Sequence, residues 1–283
     1  MKFADPRNDI AFKKIFGDER HKEVLISFLN SVLDFIDDKA IIDVKIDNTY
    51  QLSTIEELKD TILDIKATNK SGEEFIVEMQ KKNIGDFAKR SLYYTSKAYV
   101  SQIKKAEDYL TLKKVYYIAI VDFTIFDNID FISRHLIINQ ETTKQDLKDF
   151  EFTFIELPKF NLNLSQCDTL AKKWIYFIKN ASDLELIPNE LKDIKEFQTA
   201  FETANTYTWK SKELEYYDKV SLKIGDDKNA LMVAKKEGIE QGIEQGEKNK
   251  AIEIAKNSIK QGLDDNTISL ITGLSTQEIK SLR

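Results

Sequence analysis

Two carboxylates and one amide occupy matching positions of a predicted β-hairpin in residues 61–80. Alternate side chains of a strand share one face, so Asp64 on the first arm and Glu78 and Gln80 on the second can converge. The NKSG segment at 69–72 between the arms is typical of a turn, with its glycine free to adopt a positive φ. Because Mg²⁺ prefers oxygen ligands, the hairpin predicts a site for a hard divalent cation.

An antiparallel hairpin with one solvated face would show the same alternation, and its polar residues would then have no role. The order of the surrounding elements favours the metal site. Helical periodicity predicts helices at 8–16, 23–35 and 85–106, and strand patterns are found at 41–53, 61–68, 74–80, 115–121, 136–139 and 152–157. The sequence therefore predicts the order helix, three strands, helix, strand, within an α/β domain.

Composition bounds the class of protein. The 283 residues carry a net charge of −6, and the isoelectric point of about 5.3 argues against a protein uniformly coated in basic residues. The single cysteine, Cys167, fits a reducing compartment. The first residues contain no apolar signal segment, and no apolar run approaches the ~18 residues of a membrane helix. We therefore expect a soluble, cytoplasmic protein with no membrane partner.

The sequence lacks the motifs of several classes of enzyme. The glycines form neither a phosphate-binding P-loop nor a dinucleotide fingerprint. The sequence has no G-x-S-x-G elbow for a serine nucleophile, and His21 and His135 lie outside any metal-ligand spacing. Catalysis, if present, depends on carboxylates.

A locally basic segment follows the second arm of the hairpin. Residues 81–105 contain seven lysines and arginines against Asp86 alone. Arg90, Tyr94 and Lys97 fall on one face of the predicted helix and can follow a row of phosphates. The predicted nucleic-acid-binding residues are Lys81, Lys82, Lys89, Arg90, Tyr94 and Lys97. The alternative is an ordinary solvated helix face.

The region after residue 165 has helical patterns throughout. Gly238, Gly242 and Gly246 recur every four residues and would line one stripe of a helix. Such a stripe permits close contact between helices and hence a homo-oligomer, although a polar tether explains it equally well. The tail, 251–283, resembles a helix-turn-helix, with Ser275 capping the last helix. Its acidic residues outnumber its basic ones in the last stretch, which disfavours DNA reading by the tail.

The ordered motifs resemble the PD-(D/E)XK nuclease fold and, more narrowly, the recombination-promoting nuclease (Rpn)/putative transposase family. They are NDIAFKKIF at 8–16, LDIKA at 63–67, VEMQ at 77–80, FAKRSLYYTSKAY at 87–99, the glycine repeat, and ITGLSTQEI at 271–279. The resemblance implies a restriction-endonuclease-like αβββαβ core with a mixed central sheet, followed by an α-helical C-terminal region. The implied domains are 1–160, a helical extension at 161–225, and the glycine-repeat helix with its terminal hairpin at 226–283.

The resemblance also implies a Mg²⁺-dependent DNA endonuclease, with Mn²⁺ as a substitute ion, linked to recombination or mobile elements. It assigns Asp64 and Glu78 to the metal, with Asp9 either completing the site or only capping the first helix. Gln80 occupies the family's lysine position, where an amide orients water but brings no charge. Lys66 and Lys82 share strand parity with the site and are the candidates to supply that charge.

One family feature is absent, because Leu63 stands where the fold's proline precedes the aspartate. Two other functions remain open. One is a weakly active or inactive nuclease-fold protein that acts through its interactions, and the other is a DNA-binding regulator that acts through its tail.

Overall fold

The computed structural model describes residues 2–47, 50–51, 61–62, 64–83, 85–104 and 107–283. The side chains of residues 50–51, 61–62 and 227–228 are not among those described. The chain forms two compact units, Met1–Val220 and Ser221–Arg283, and each is considered by itself.

The helices of the first unit flank a mixed sheet. They are α1 Asp9–Phe16, α2 Lys22–Leu33, α3 Phe87–Ser101, α4 Leu170–Asn180, α5 Asn189–Lys192 and α6 Lys195–Ala204. The boundary between the units lies within α7, Ser211–Lys260, which is followed by α8 Asp265–Thr272 and α9 Thr276–Ser281. The strands are β1 Val44–Ile46, β2 Tyr50–Gln51, β3 Thr61–Ile62, β4 Ile65–Asn69, β5 Glu74–Gln80, β6 Val115–Val121, β7 Ile132–Leu136 and β8 Phe150–Glu156.

Within the described residues, the main sheet has the strand order β1-β4-β5-β6-β8-β7. Neighbours are antiparallel from β1 to β5, parallel from β5 through β6 to β8, and antiparallel between β8 and β7. β2 and β3 pair with each other in a separate ladder. The mixed sheet with its flanking helices and helical C-terminal region confirms the predicted fold class.

The central strand β6 is buried along its whole length, as its continuous apolar run predicts for a strand covered on both faces. Side chains of α1, α2, α4 and α6 pack on one face of the sheet. α3 covers the other face, where Ile76, Tyr117 and Phe154 join its buried residues. Because strand side chains alternate, Glu74, Glu78 and Gln80 of β5 lie on the α3 side with Ile76.

Several predicted element boundaries were wrong. The predicted strand 41–53 contains only β1 and β2 among the described residues, and 48–49 and 52–53 lie outside them. The first hairpin arm is divided into β3 and β4 with a bend at Asp64, and Leu63 also lies outside the described residues. The helix predicted for 85–106 ends at Ser101, and 105–106 are not described.

The strand predicted for 136–139 was also misplaced. β7 begins with Ile132, opposite Ile155 of β8, and ends with Leu136, opposite Glu151. Ile137 and Ile138 follow the strand and are exposed, so their apolar character does not reflect burial in the sheet.

Four aromatic residues of the 161–220 region pack into the core of the first unit. Trp174, Phe177, Phe197 and Phe201 are fully buried, and the Trp174 and Phe197 rings stack with their centroids 4.0 Å apart. The division of the chain at residues 160 and 225 stays a prediction.

The second unit has a small core of its own. Ala255 of α7, Ile268 of α8 and Ile279 of α9 are buried against Leu274 in the turn between the last two helices. Gly273 follows α8 with a positive φ, and Ser275 is the N-cap of α9, as predicted, and forms a capping box with Glu278. In the described ranges, no helix is long and apolar enough to cross a bilayer.

Candidate active site

The turn of the β4–β5 hairpin sets the register of the two strands. Gly72 has a φ of 84°, and its N–H donates to the carbonyl of Asn69. The Asn69 side chain accepts two further backbone hydrogen bonds within the turn, which fixes its shape. From this turn the ladder runs to the pair Ile65 and Val77, both buried, so the next position places Asp64 opposite Glu78.

Asp64 and Glu78 are joined by hydrogen bonds through the backbone. The Asp64 N–H donates to Glu78 Oε1 at 3.3 Å, and the Met79 N–H donates to Asp64 Oδ2 at 2.8 Å. The bend at Asp64 interrupts the ladder and lets its carboxylate reach across to β5. The two acids therefore face each other at the open end of the hairpin.

Burial raises the pKa of both carboxyl groups. The Glu78 side chain is only 5% exposed, and burial followed by the charge of Asp64 holds its pKa well above the usual range. The pKa of Asp64 is also raised, first by burial and then by Asp9, against the opposing effects of the Met79 N–H and Lys13. One buried and one half-buried carboxylate that repel each other are a donor set that suits a divalent cation.

Lys13 is a member of this site that the sequence analysis missed. Lys13 lies on α1, and its Nζ is 3.5 Å from Asp64 Oδ1. Asp9 stands one helical turn before it, so the two residues lie on one face of α1. That spacing is the signal that could have identified Lys13.

Among the residues that the structure describes, Asp9 does not complete a cluster of three acids. Asn8, not Asp9, caps α1, because the Asn8 side chain accepts a hydrogen bond from the Ile10 N–H. Asp9 itself is exposed. Among the described residues, no group of three histidine, cysteine, aspartate or glutamate side chains is placed to hold a metal ion. Asp64 and Glu78 are thus the pair of acids that the structure brings together.

Gln80 contacts an arginine from the neighbouring helix. The Arg90 Nη2 donates to Gln80 Oε1 at 2.6 Å. The Arg90 guanidinium lies 5.0 Å from the ring centre of Phe87 and 5.7 Å from that of Tyr94. Arg90 is therefore half-buried at the site and not only part of a surface stripe with Tyr94 and Lys97.

The end of β5 is held by a network of ion pairs. Lys81 Nζ lies 2.9 Å from Asp5, and Arg7 bridges Asp5 and Asp122. The Asp122 N–H donates to the Gln80 carbonyl, which continues the β5–β6 ladder by one bond. The network fixes the backbone that carries the last residues of the predicted motif.

The Lys66 ammonium group does not lie beside Gln80, where it would supply the charge that the amide lacks. Its Nζ pairs with Glu74 at 3.0 Å, at the turn end of β5 and far along the strand from Gln80. Strand parity was correct, because Lys66, Glu74 and Glu78 share the α3 face. Parity does not specify the position along the strand to which a long side chain extends, and the acid nearest the turn attracts the ammonium.

The other predicted basic residues have varied surroundings. Lys89 is exposed and lies 3.6 Å from Asp86, the residue before α3. Lys82 and Lys97 are half-buried. Contact of these residues with DNA stays a prediction.

A buried tyrosine lies beneath the site and was also missed. Tyr117 of β6 is fully buried on the α3 face, and its hydroxyl has no hydrogen-bond partner among the described residues. Burial raises its pKa well above the usual range, with the charge of Glu78 as the next cause. A tyrosine inside an apolar strand looks like core in the sequence, so only the fold places it near Glu78.

The acidic residues of the tail stabilise its helices. Asp264 caps α8 by accepting from two backbone N–H groups, and Asp265 lies 2.7 Å from Arg283. Glu278 forms the capping box with Ser275. The net charge of the tail is therefore a poor guide to DNA binding, since these acids are already engaged within the unit.

Comparison with protein families agrees with this geometry. A family model described as PD-(D/E)XK nuclease family transposase matches residues 6–234. A second model, described as the C-terminal HTH domain of the Rpn/YhgA-like nuclease family, matches residues 248–283. No curated protein and no solved structure matches the chain. Since the first model covers most of the sequence, the chain belongs to the PD-(D/E)XK nuclease family of transposases, and the predicted Rpn relationship is confirmed.

Proposed function

We propose that this protein is a divalent-metal-dependent DNA endonuclease whose cation is held by Asp64 and Glu78. The observation that carries the proposal is the placement of the half-buried Asp64 carboxylate opposite the buried Glu78 carboxylate, with the Asp64 N–H donating to Glu78 Oε1. Family membership supports DNA as the substrate and, through the transposase description, a role in recombination or mobile elements. A cytoplasmic location is consistent with action on DNA.

The donor set suits Mg²⁺, with Mn²⁺ as a substitute. Mg²⁺ is usually held by one or two carboxylates, with water and substrate phosphate completing its shell, so a third protein acid is not required. When bound, the cation supplies charge neutralisation at phosphate oxygens and a lower pKa for a coordinated water. It would also remove the repulsion that raises the pKa of Glu78.

The residues of the chain prepare the site for hydrolysis. The Met79 N–H and Lys13 hold the Asp64 carboxylate in place from two sides. The Gln80 amide is proposed to orient a water molecule, whose oxygen bonds to phosphorus as the phosphodiester P–O bond breaks. The water gives up one proton and the leaving oxygen takes one up, so the proton count balances. Lys82, Lys89 and Lys97 are proposed to contact DNA phosphates, which gives a salt-dependent affinity.

Plasmid cleavage tests this proposal. The parent protein is incubated with supercoiled plasmid in Mg²⁺, in Mn²⁺ and in EDTA, beside the Asp64→Asn variant. Asparagine keeps an oxygen for the Met79 N–H but loses the charge, so we expect cleavage by the parent in either metal alone and a loss of at least about a hundredfold in the variant. Asp168→Asn is the matched control, because Asp168 is an exposed acid that pairs with Lys172 on the surface of α4.

Equal cleavage by the parent and the Asp64→Asn variant, each purified free of other nucleases, would show that this site is not the catalytic one. No cleavage by the parent under any metal condition would favour the inactive interaction protein.

A second candidate function, DNA binding by the C-terminal unit, rests on the match of residues 248–283 to a helix-turn-helix domain. In such domains the second helix enters the major groove. Gln277 and Lys280 of α9 are exposed, whereas the neighbouring acids are engaged in caps. Substituting both with alanine should weaken DNA binding while cleavage at saturating DNA is kept. If the DNA affinity of this double variant is unchanged, DNA binding would be assigned to the first unit, and the tail would be assigned to homo-oligomer formation.

A further inference from the structure

Position 80 is the point at which this site departs from a lysine-containing motif. A lysine there would present N–H donors and one positive charge to the reacting phosphate, whereas the Gln80 amide is neutral. The structure supplies a charge from a different element, because Arg90 of α3 donates to Gln80 Oε1 at 2.6 Å.

The surroundings of Arg90 hold its guanidinium in one place. The rings of Phe87 and Tyr94, one turn before and one turn after it on α3, lie within cation–π distance of the group. Its Nε is buried and has no hydrogen-bond partner among the described residues. A flexible surface arginine would keep its N–H groups hydrogen-bonded to water. A half-buried guanidinium with an unpaired donor instead costs folding stability, which favours a role for Arg90 in the site.

The hydrogen bond also orients the amide of Gln80. Because Oε1 accepts from Arg90, the NH₂ group of Gln80 is the part left to donate to another partner. Gln80 and Arg90 together thus present N–H donors and one positive charge. The same combination of groups would be offered by a single lysine at position 80.

We propose that Arg90, positioned by Gln80, is the cation that binds the scissile phosphate and replaces the missing lysine of the motif. The inference rests on the proposed nuclease function and assigns the phosphate-binding residue of that site. A planar guanidinium can donate two parallel hydrogen bonds to phosphate oxygens, which favours arginine for this task. Glu78 lies close enough for the charge of Arg90 to lower its pKa, against the larger effect of burial.

A rescue experiment tests the replacement of lysine by this pair. Arg90→Met keeps the packing against Phe87 and Tyr94 and removes the charge, so we expect cleavage to fall about a hundredfold. Adding Gln80→Lys to that variant restores the charge at the same point and should recover at least about tenfold. Arg20→Met is the matched control, since Arg20 is 79% exposed and pairs with Asp18 away from the site, and it should cleave as the parent does.

Metal affinity provides a readout that does not depend on cleavage. Calorimetric titration of Mn²⁺ without DNA should show about tenfold tighter binding to Arg90→Met than to the parent, because a positive charge beside the carboxylates is gone. Adding Gln80→Lys to the Arg90→Met variant should return the Mn²⁺ affinity toward that of the parent. Arg20→Met should not change the Mn²⁺ affinity. A variant that merely lost its fold would bind Mn²⁺ more weakly.

Two results would overturn the assignment: cleavage by Arg90→Met within about twofold of the parent, or no recovery when Gln80→Lys is added. If the parent itself cleaves nothing, the proposed function fails separately. The Mn²⁺ titration then decides on Arg90 alone, and an affinity unchanged by Arg90→Met would contradict its place beside the metal-binding acids.

Discussion

The backbone N–H of Asp64 points at the carboxylate of Glu78, 3.3 Å away across the open end of the β4–β5 hairpin. Glu78 therefore experiences the charge of Asp64 in a place from which water is largely excluded. A fold gains no stability from such a pair of ionised carboxylates, and this cost is typical of functional sites.

Neutralising one of the two acids should stabilise the metal-free protein. Glu78→Gln keeps an oxygen to accept from the Asp64 N–H and removes the repulsion between the carboxylates. At pH 8 in EDTA we expect its melting temperature to rise by about 2–4 °C, which for a chain of this size corresponds to roughly 1 kcal/mol. Differential scanning calorimetry against the parent measures it, and a lower melting temperature would mean that the ionised pair is not repulsive.

The stability of the metal-free parent should fall as the pH rises above the ordinary carboxyl range. The raised pKa of Asp64 and of Glu78 means that the folded state keeps protons which the unfolded state has released. The free energy of unfolding then decreases as the pH rises, until the pH exceeds the raised pKa of Glu78. Urea denaturation at a series of pH values in EDTA checks this, with Glu78→Gln as the reference. Parallel curves for the two proteins would contradict the raised pKa.

Divalent cations should stabilise the parent in a pH-dependent way. Binding Mn²⁺ requires both carboxylates to lose their protons, so the increase in melting temperature should grow from pH 6 to pH 8. Asp64→Asn should show at most a small increase at either pH, because one of the two charged ligands is gone. Thermal shifts of both proteins with and without Mn²⁺ give the answer, and an equal shift in both would place the ion elsewhere.

Much of the hairpin could be predicted from sequence, because the relevant contacts are local. Alternation along the arms and the Gly72 turn determine which side chains share a face, and the ladder of β4 and β5 follows that pattern. The whole of β6 could likewise be predicted from its uniform apolar character. Both inferences use a period of two residues and a turn, which the sequence displays directly.

The partners of the predicted residues could not be obtained in this way. Lys13 reaches Asp64 from α1, and Arg90 reaches Gln80 from α3, so each contact depends on how a helix packs against the sheet. Strand parity placed Lys66 on the correct face but did not identify Glu74 as its partner. The roles of Asp64, Glu78 and Gln80 in catalysis stay predictions.

Lys13 should act on the site through its charge. Lys13→Met removes the cation beside Asp64, which should lower the stability of the metal-free protein at pH 8 by up to about 1 kcal/mol and tighten Mn²⁺ binding severalfold. Lys14→Met is the neighbouring control, because Lys14 pairs with Glu213 and not with the site. Calorimetry of unfolding and of Mn²⁺ binding on both variants measures the difference. Identical Mn²⁺ affinities for the two variants would be evidence against a role for Lys13.

The most direct test of the central claim is a crystal structure of the protein soaked in Mn²⁺, with anomalous scattering recorded at the manganese edge. The account predicts an anomalous peak in contact with the carboxylates of both Asp64 and Glu78. Well-ordered density for both side chains with no peak between them, or a peak held by other residues, would contradict it.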